Sequence, residues 1–349
     1  MRRVILLVGW LQLLVAGIAA SQPLEDTTVV RLIALGDVNL GRSMGQLLLK
    51  DSLEAPFRGL RGIFQPDDIV FGNLESPISD QGGETRHPKD PLVFCAPPEA
   101  ATALRLAGFD ILSTANNHVA DYGWKGLRET MEFLSAAGLR WIGTARDSVA
   151  RFVPKVIERR GVRFAFLAYT EFLNKKGNWG GHISLYDEER ARVEVASARK
   201  VADVVVVSYH GGVEYAEQPG KWTRAQMRQL VDFGADLVIG HHPHVPQGIE
   251  CYHNGLILYS LGNAVFIQPQ KYWTRRGVMA LAEFRRVGGT AQLTALSLVP
   301  LDVSRFPTTE LDARERLRLL KRLQQQSNRP MVLNNGIVAV HLDASRQPR

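Results

Sequence analysis

From residue 29 onward, short apolar runs alternate with stretches whose apolar residues recur at helical spacing. Residues 29–35 are β-branched and apolar and stop at Gly36-Asp37; residues 68–71 form a second such run and stop at Gly72-Asn73. Strands are also expected at 109–113, 140–143, 203–208 and 237–239, the third of these carrying Val204, Val205, Val206 and Val207 without interruption. The helical period predicts helices over 99–107, 123–136, 187–200 and 222–233. Two hairpins are expected. One joins 153–158 to 162–169 around Arg160-Gly161, the other 247–251 to 256–259 around His253-Asn254-Gly255. Longer strands follow at 277–284 and 291–299. Buried strands separated by helices predict a layered α/β domain over residues 29–300. The hairpins add antiparallel strands, so a mixed sheet pair covered by helices fits better than one doubly wound sheet.

Both ends of the chain break this pattern. Residues 301–349 read as an extension, with a basic amphipathic helix over 309–325 in which Leu311, Leu317, Leu320 and Leu323 recur at helical spacing. Thr309 followed by Asp312 resembles a capping box, and Asn334-Asn335-Gly336 signals a last hairpin. Such a helix packs on its domain or lies on a membrane surface; packing is the simpler role. At the other end, Arg2 and Arg3 precede an uncharged apolar run that closes in Ala16-Gly17-Ile18-Ala19-Ala20. This layout predicts a signal peptide over residues 1–20, and so an exported protein in the periplasm, outside the cell or at the envelope. The alternative is an uncleaved anchor, for which the run sits at the lower limit of roughly 17 to 25 residues.

The composition, 45% hydrophobic and 22% charged, excludes a disordered chain and a polytopic membrane protein. The formal charge of +7 becomes +5 once Arg2 and Arg3 are removed. A basic surface serves solubility, and it also suits an anionic partner such as an acidic polymer, a phosphate ester or a lipid headgroup. No nucleic-acid partner is expected. The two cysteines, Cys95 and Cys251, pair only if their geometry permits, and their spacing makes no thiolate metal site.

The candidate chemistry lies in the polar residues that stop the strands, since sites in open α/β sheets form beyond the carboxyl ends of strands. These stops are Asp37 to Asn39, Asn73 to Glu75, Asn116-Asn117-His118 with Asp121, His210, and Gly240-His241-His242-Pro243-His244. Each of the first four has a plain structural use as a turn, a helix cap or a hydrogen-bonded imidazole. The last gathers three of the nine histidines into four positions. In an extended segment alternate side chains share a side, so His242 and His244 are expected to face together and His241 to face away, outside the innermost ligands. Asp37, Glu75, Asn117, His210, His242 and His244 then form a mixed oxygen and nitrogen set suited to one or two divalent ions such as Mn, Fe or Zn. His118, beside a ligand, is placed to protonate a leaving group. Asn39, Asn73, Asn116, Asp121, Glu214 and His241 are further candidates for the same site.

In this order the segments resemble the CapA family, also called PgsA-type poly-γ-glutamate capsule biosynthesis proteins, a branch of the calcineurin-like metallophosphatase superfamily. The resemblance rests on Leu35-Gly36-Asp37-Val38-Asn39-Leu40-Gly41-Arg42, on Gly72-Asn73-Leu74-Glu75-Ser76-Pro77, and on the run from Ala107 to Thr130 that contains Asn116-Asn117-His118. It continues through His210-Gly211-Gly212-Val213-Glu214-Tyr215, residues 234–244 and Tyr259-Ser260-Leu261-Gly262-Asn263, and covers about residues 31–266. It implies a four-layer α-β-β-α sandwich with the site at the sheet edge. It also implies roles: Asp37 and His244 on a first metal, Glu75 bridging, Asn117, His210 and His242 on a second metal, and His118 catalytic. The chain departs from the pattern at three places. Asn39 stands where the wider superfamily has His, Glu75 where it has a bridging Asp, and Gly211 where the capsule family often has Trp. Arg42, Lys271, Arg275 and Arg276 lie in or near the matching segments and are candidates for binding an anionic substrate. Glu214 is either a further acid or half of a salt bridge. Two functions follow from the resemblance. One is a metal-dependent hydrolase or transferase acting on an acidic polymer such as poly-γ-glutamate, or on a phosphoester. The other is a non-catalytic component that binds and guides the polymer alongside membrane capsule-synthesis subunits.

Overall fold

A computed structural model describes residues 28–340 and 342, apart from 51, 148–152, 180, 288, 335 and 336. The expected signal peptide and residues 335–336 of the last turn lie outside the described residues. The chain runs β1 (Val29–Val38), α1 (Arg42–Leu48), β2 (Ile69–Leu74), α2 (Glu99–Ala107), β3 (Ile111–Ser113), α3 (Gly123–Ala136) and β4 (Arg140–Ile142). It continues through β5 (Lys155–Arg159), β6 (Val162–Thr170), α4 (Glu188–Val201), β7 (Val204–His210), α5 (Lys221–Asp232), β8 (Leu237–His241), β9 (Ile249–Tyr252), β10 (Gly255–Leu258) and β11 (Asn263–Val265). It closes with β12 (Arg276–Val287), β13 (Thr290–Asp302), β14 (Thr309–Glu310), α6 (Ala313–Gln326), β15 (Met331–Asn334) and β16 (Ile337–Val340).

These strands form two mixed sheets. The first has the order β15-β16-β13-β12-β1-β2-β3-β4, with β11 joining β1 and β14 joining β13; the second has the order β5-β6-β7-β8-β10-β9. Strands β1 to β4 pair in parallel, as do β6, β7, β8 and β10, while the hairpin partners are antiparallel. The alternation along single strands builds the layers. On β1, Leu32 and Ala34 face the second sheet, and Ile33 and Leu35 face α1 and α2. On β7, Val204 and Val206 face the first sheet, and Val205 and Val207 face α4 and α5. Phe71 of β2 stacks on Phe166 of β6 across the inner layer at 6.2 Å. Each such fully buried side chain contributes roughly 1.5–3 kcal/mol of burial free energy. The result is the α-β-β-α sandwich expected of the sequence.

The C-terminal segment differs from its sequence pattern at two points. Thr309 does not cap the helix, because its backbone pairs with Asp302 in β14; Asp312 is the cap, accepting from Glu315 N at 2.9 Å. Helix α6 buries Leu319 and Leu323 against the inter-sheet core, with Leu320 packed beside them, and it leaves Leu317 exposed. Strands β15 and β16 extend the first sheet beyond β13. Among the described residues no helix is long and apolar enough to cross a membrane. Cys95 and Cys251 are separate buried thiols and do not pair. Burial pushes the Cys95 thiol up to about 12, so it is an inert core group.

Candidate metal centre

The parallel strands bring their polar stops to one edge. Asp37 is in register with Asn73 of β2 on one side and Asn263 of β11 on the other. His210 ends β7 in register with His241, which ends β8. The backbone approaches closely at Gly36, where a Cβ would sit 1.9 Å from Gly262 O. That approach lets Asp37 N donate to Gly262 O at 2.9 Å and turns the Asp37 carboxylate toward the second sheet.

Asp37 is fully buried and receives hydrogen bonds from three sides. Its Oδ1 accepts from Asn73 Nδ2 at 2.9 Å and His241 Nδ1 at 3.1 Å, and its Oδ2 accepts from His244 Nδ1 at 3.0 Å. Burial pushes its pKa up, but the bonds from His241 and His244 prevail and hold it well below the usual carboxylate range. His244 Nδ1 also lies 3.0 Å from Asn263 Oδ1. Both neighbours of Nδ1 are acceptors, so the proton sits there and the Nε2 lone pair faces Glu75 Oε1 at 3.5 Å.

Glu75 is the odd member. It is fully buried, and neither carboxylate oxygen has a hydrogen-bond partner in the protein. Burial, then the nearby Asp37, drives its pKa well above the usual range. It belongs to both ligand groupings present among the described residues: Glu75 with His242 and His244, and Glu75 with Asp37 and His210. Within each grouping the ligand atoms lie within 4.8 Å of one another. Of the three imidazoles in these groups, His210 and His242 are held neutral. Burial, then His242, drives His210 well below its ordinary value, and burial, then His244, lowers His242 to about 3. Two carboxyl oxygens without a donor, among imidazole nitrogens, are a donor set that a divalent cation satisfies.

The asparagines hold this set in place. Asn73 Nδ2 also meets His210 Nδ1 at 3.2 Å, and Asn117 Oδ1 lies 2.8 Å from His210 Nε2. Asn116 Nδ2 donates to Leu74 O at 2.7 Å and its Oδ1 accepts from His118 N at 3.1 Å. His118 Nδ1 donates to Asp121 Oδ2 at 2.8 Å, and the same oxygen accepts from Phe94 N at 2.8 Å. His118 Nε2 then lies 3.4 Å from Asn174 Nδ2.

One expectation needs correction. His241 does not face away; it is buried and bonded to Asp37. Strict alternation fails because the chain leaves the extended conformation at His242, whose φ is 96°, and again at His244, φ 58°. Non-glycine residues at positive φ cost about 1–3 kcal/mol each and concentrate at functional sites. Asn39 Oδ1 accepts from Gly41 N at 3.0 Å, a local turn bond, and its Nδ2 is buried without a hydrogen-bond partner among the described residues.

A cleft of about 640 Å³ opens over the cluster, with His118, His242 and His244 on its floor and Arg42, Lys175, Glu214 and Tyr215 on its walls. Lys271, Arg275 and Arg276 are not among its lining residues. Arg276 instead pairs with Glu315 of α6 at 2.6 Å, and Lys271 is exposed. Three contributors carried no sequence signal of their own. Asn263 orients His244, Phe94 stacks on His118 at 4.0 Å, and Asn174 bonds Asn117 at 3.2 Å. Asn263 ends the segment Tyr259-Ser260-Leu261-Gly262-Asn263; Phe94 and Asn174 sit in loops without pattern.

Comparison with known proteins agrees with this architecture. The family model for bacterial capsule synthesis protein PGA_cap matches residues 31–268. The capsule biosynthesis protein CapA of Bacillus anthracis is 31% identical over 317 residues, covering 87% of this chain and 75% of that protein. The PGA biosynthesis protein CapA of Bacillus subtilis (strain 168) is 30% identical over 320 residues, covering 89% of this chain and 82% of that protein. Among solved structures, the calcineurin-like phosphoesterase YfkN of Bacillus subtilis superposes with a TM-score of 0.50 at 13% identity, covering 86% of this chain and 97% of that one. The likeness to YfkN is one of fold, and the sequence matches decide the family: this chain belongs to the bacterial capsule synthesis proteins of the PGA_cap family.

Proposed function

We propose that this protein is a metal-dependent hydrolase or transferase that works on an acidic polymer of the poly-γ-glutamate kind during capsule synthesis, exported to the envelope. The observation that carries the catalytic part is Glu75, whose two buried oxygens lack any donor and which sits in both ligand groupings. Asp37, Glu75 and His210 would hold one divalent ion, and His242 and His244 with Glu75 a second. A bound ion of this type polarises the electrophilic centre and lowers the pKa of a water molecule. The protein's own residues do the remaining work. His118, aligned by Asp121 and by the ring of Phe94, supplies or takes a proton at Nε2 on the cleft floor. Asn73, Asn116 and Asn263 fix the carboxylate and imidazole orientations, the usual task of groups behind the ligands.

The polymer part rests on the capsule proteins to which the chain is similar and on Arg42 and Lys175 in the cleft wall. Elemental analysis of the purified protein tests the metal. Turnover of γ-glutamyl polymers and of a panel of phosphoesters tests the chemistry. Metal-loaded protein that releases nothing from any of these would overturn the hydrolase reading. The second reading, a non-catalytic polymer-binding component, is favoured by Asn39, whose side-chain oxygen is spent on a local turn bond to Gly41 N. Under that reading polymer affinity survives His118→Ala and His242→Ala, and no turnover is found.

A further inference from the structure

The cleft does not end at the metal cluster. A groove of about 320 Å³ adjoins it, lined by Arg86, His87, Pro88, Lys89, Asp90 and Pro91, and His87 and Asp90 line both spaces. Arg42 stands on the cleft wall nearest this loop. Its backbone N donates to Thr85 O, its Nη2 donates to Pro91 O, and its guanidinium lies 4.4 Å from the centre of Phe94, the ring that stacks on His118. The Arg42 backbone is held at φ 55°, a conformation that requires such fastening.

The loop is built. Thr85 Oγ1 donates to Arg42 O, Arg86 pairs with Phe94, and Asp90 Oδ1 accepts from Leu92 N at 2.8 Å. His87 Nδ1 accepts from Asp90 N at 3.0 Å, so its proton is on Nε2, a free donor. Asp90 spends one carboxylate oxygen on this turn. Among the described residues no carboxylate pairs with Arg42, Arg86 or Lys89. Burial and then Arg86 lower the proton affinity of Arg42. A half-buried guanidinium on an aromatic ring, followed by two exposed cations along a groove, fits a row of anions.

We propose that Arg42 and the groove of Arg86, His87 and Lys89 form a chain subsite, which takes the acidic groups flanking the one held at the metal cluster. This rests on the polymer reading above and deepens it: the substrate class is an extended polyanion and not a small monoester, which would fill the cleft and leave the groove empty.

Binding of γ-linked glutamate oligomers of increasing length tests it, by titration calorimetry at several salt concentrations. Wild-type protein is expected to gain affinity with length. The exposed pair Arg86→Ala/Lys89→Ala is expected to lose about tenfold for long chains and little for a dimer, with a shallower salt dependence. A control, Arg192→Ala/Lys200→Ala on the far helix α4, removes the same charge. Equal losses in the two double variants would mean that net charge alone governs binding, and would overturn the subsite. So would length-dependent binding that is unchanged in Arg86→Ala/Lys89→Ala, a result that leaves the polymer reading intact. Wild-type protein that binds no oligomer of any length removes the polymer reading and the subsite together.

Discussion

Glu75 and Glu250 are both buried glutamates near strand ends, and the protein treats them in opposite ways. Glu250, on β9 beneath α5, receives Arg228 through two nitrogens, the hydroxyl of Tyr259, and Arg224 at 3.6 Å. Every charge there is answered, and the Tyr259 phenol is pushed upward, first by burial and then by its bond to Glu250. Glu75 is buried more deeply and receives nothing. Ionised, a carboxylate bare among histidines is costly and fits a divalent ion, whereas a carboxylate ringed by arginines needs none. The contrast separates a fold-stabilising cluster from a cation site without reference to any relative.

Substitution should therefore split the two. Glu75→Gln is expected to lower metal affinity by more than about 100-fold, beyond the loss typical of groups behind the ligands, while the metal-free protein stays folded. Inductively coupled plasma measurements and a melting curve on one preparation check both halves. His118→Ala comes next in size. It should keep its metal and lose about 10² to 10⁴ in turnover, the share of a proton-transfer group. Loss of metal in that variant would make His118 a ligand and would break the division of roles. Glu250→Ala should behave in the reverse manner. It keeps metal and turnover and loses about 2 kcal/mol of stability, limited by the partial exposure of Arg228. Denaturant titration reads this directly.

Much of the comparison was legible in the sequence. Apolar, β-branched runs in residues 29–35 and 203–208 marked strands buried on both faces, and the polar residues closing those strands are the ones the fold gathers. Parallel strands make this so, because their carboxyl ends share an edge whatever the loop lengths. The failures have physical causes. His241 was misplaced because alternation presumes an extended backbone, and His242 departs from it. The role of Asn263 is invisible in the sequence because its partner, His244, reaches it only through the turn between β8 and β9. Phe94 and Asn174 join the site through loop geometry that no period encodes. Glu250 gave no sign at all, since nothing local distinguishes a glutamate met by arginines of a packed helix from an exposed one.

The smallest expected effect is the most direct reading of the bare carboxylate. In metal-free protein the Glu75 pKa is raised above its ordinary 4.5, by burial and by Asp37. Its contribution to stability is therefore fully present below pH 4.5 and is lost as pH rises through the folded value. His210 and His242 oppose this in the acid range. Their folded values lie below 6.5, so they add stability as pH rises toward that value and nothing beyond it. Asp37 is lowered from 3.8 and acts only at lower pH. Subtracting Glu75→Gln from wild type removes the shared terms. The difference in melting temperature of the chelated proteins should widen steadily from pH 4.5 upward, with wild type the less stable, and should close when metal is restored to wild type. A flat difference would mean that Glu75 finds a donor in solution, and the contrast with Glu250 would then vanish.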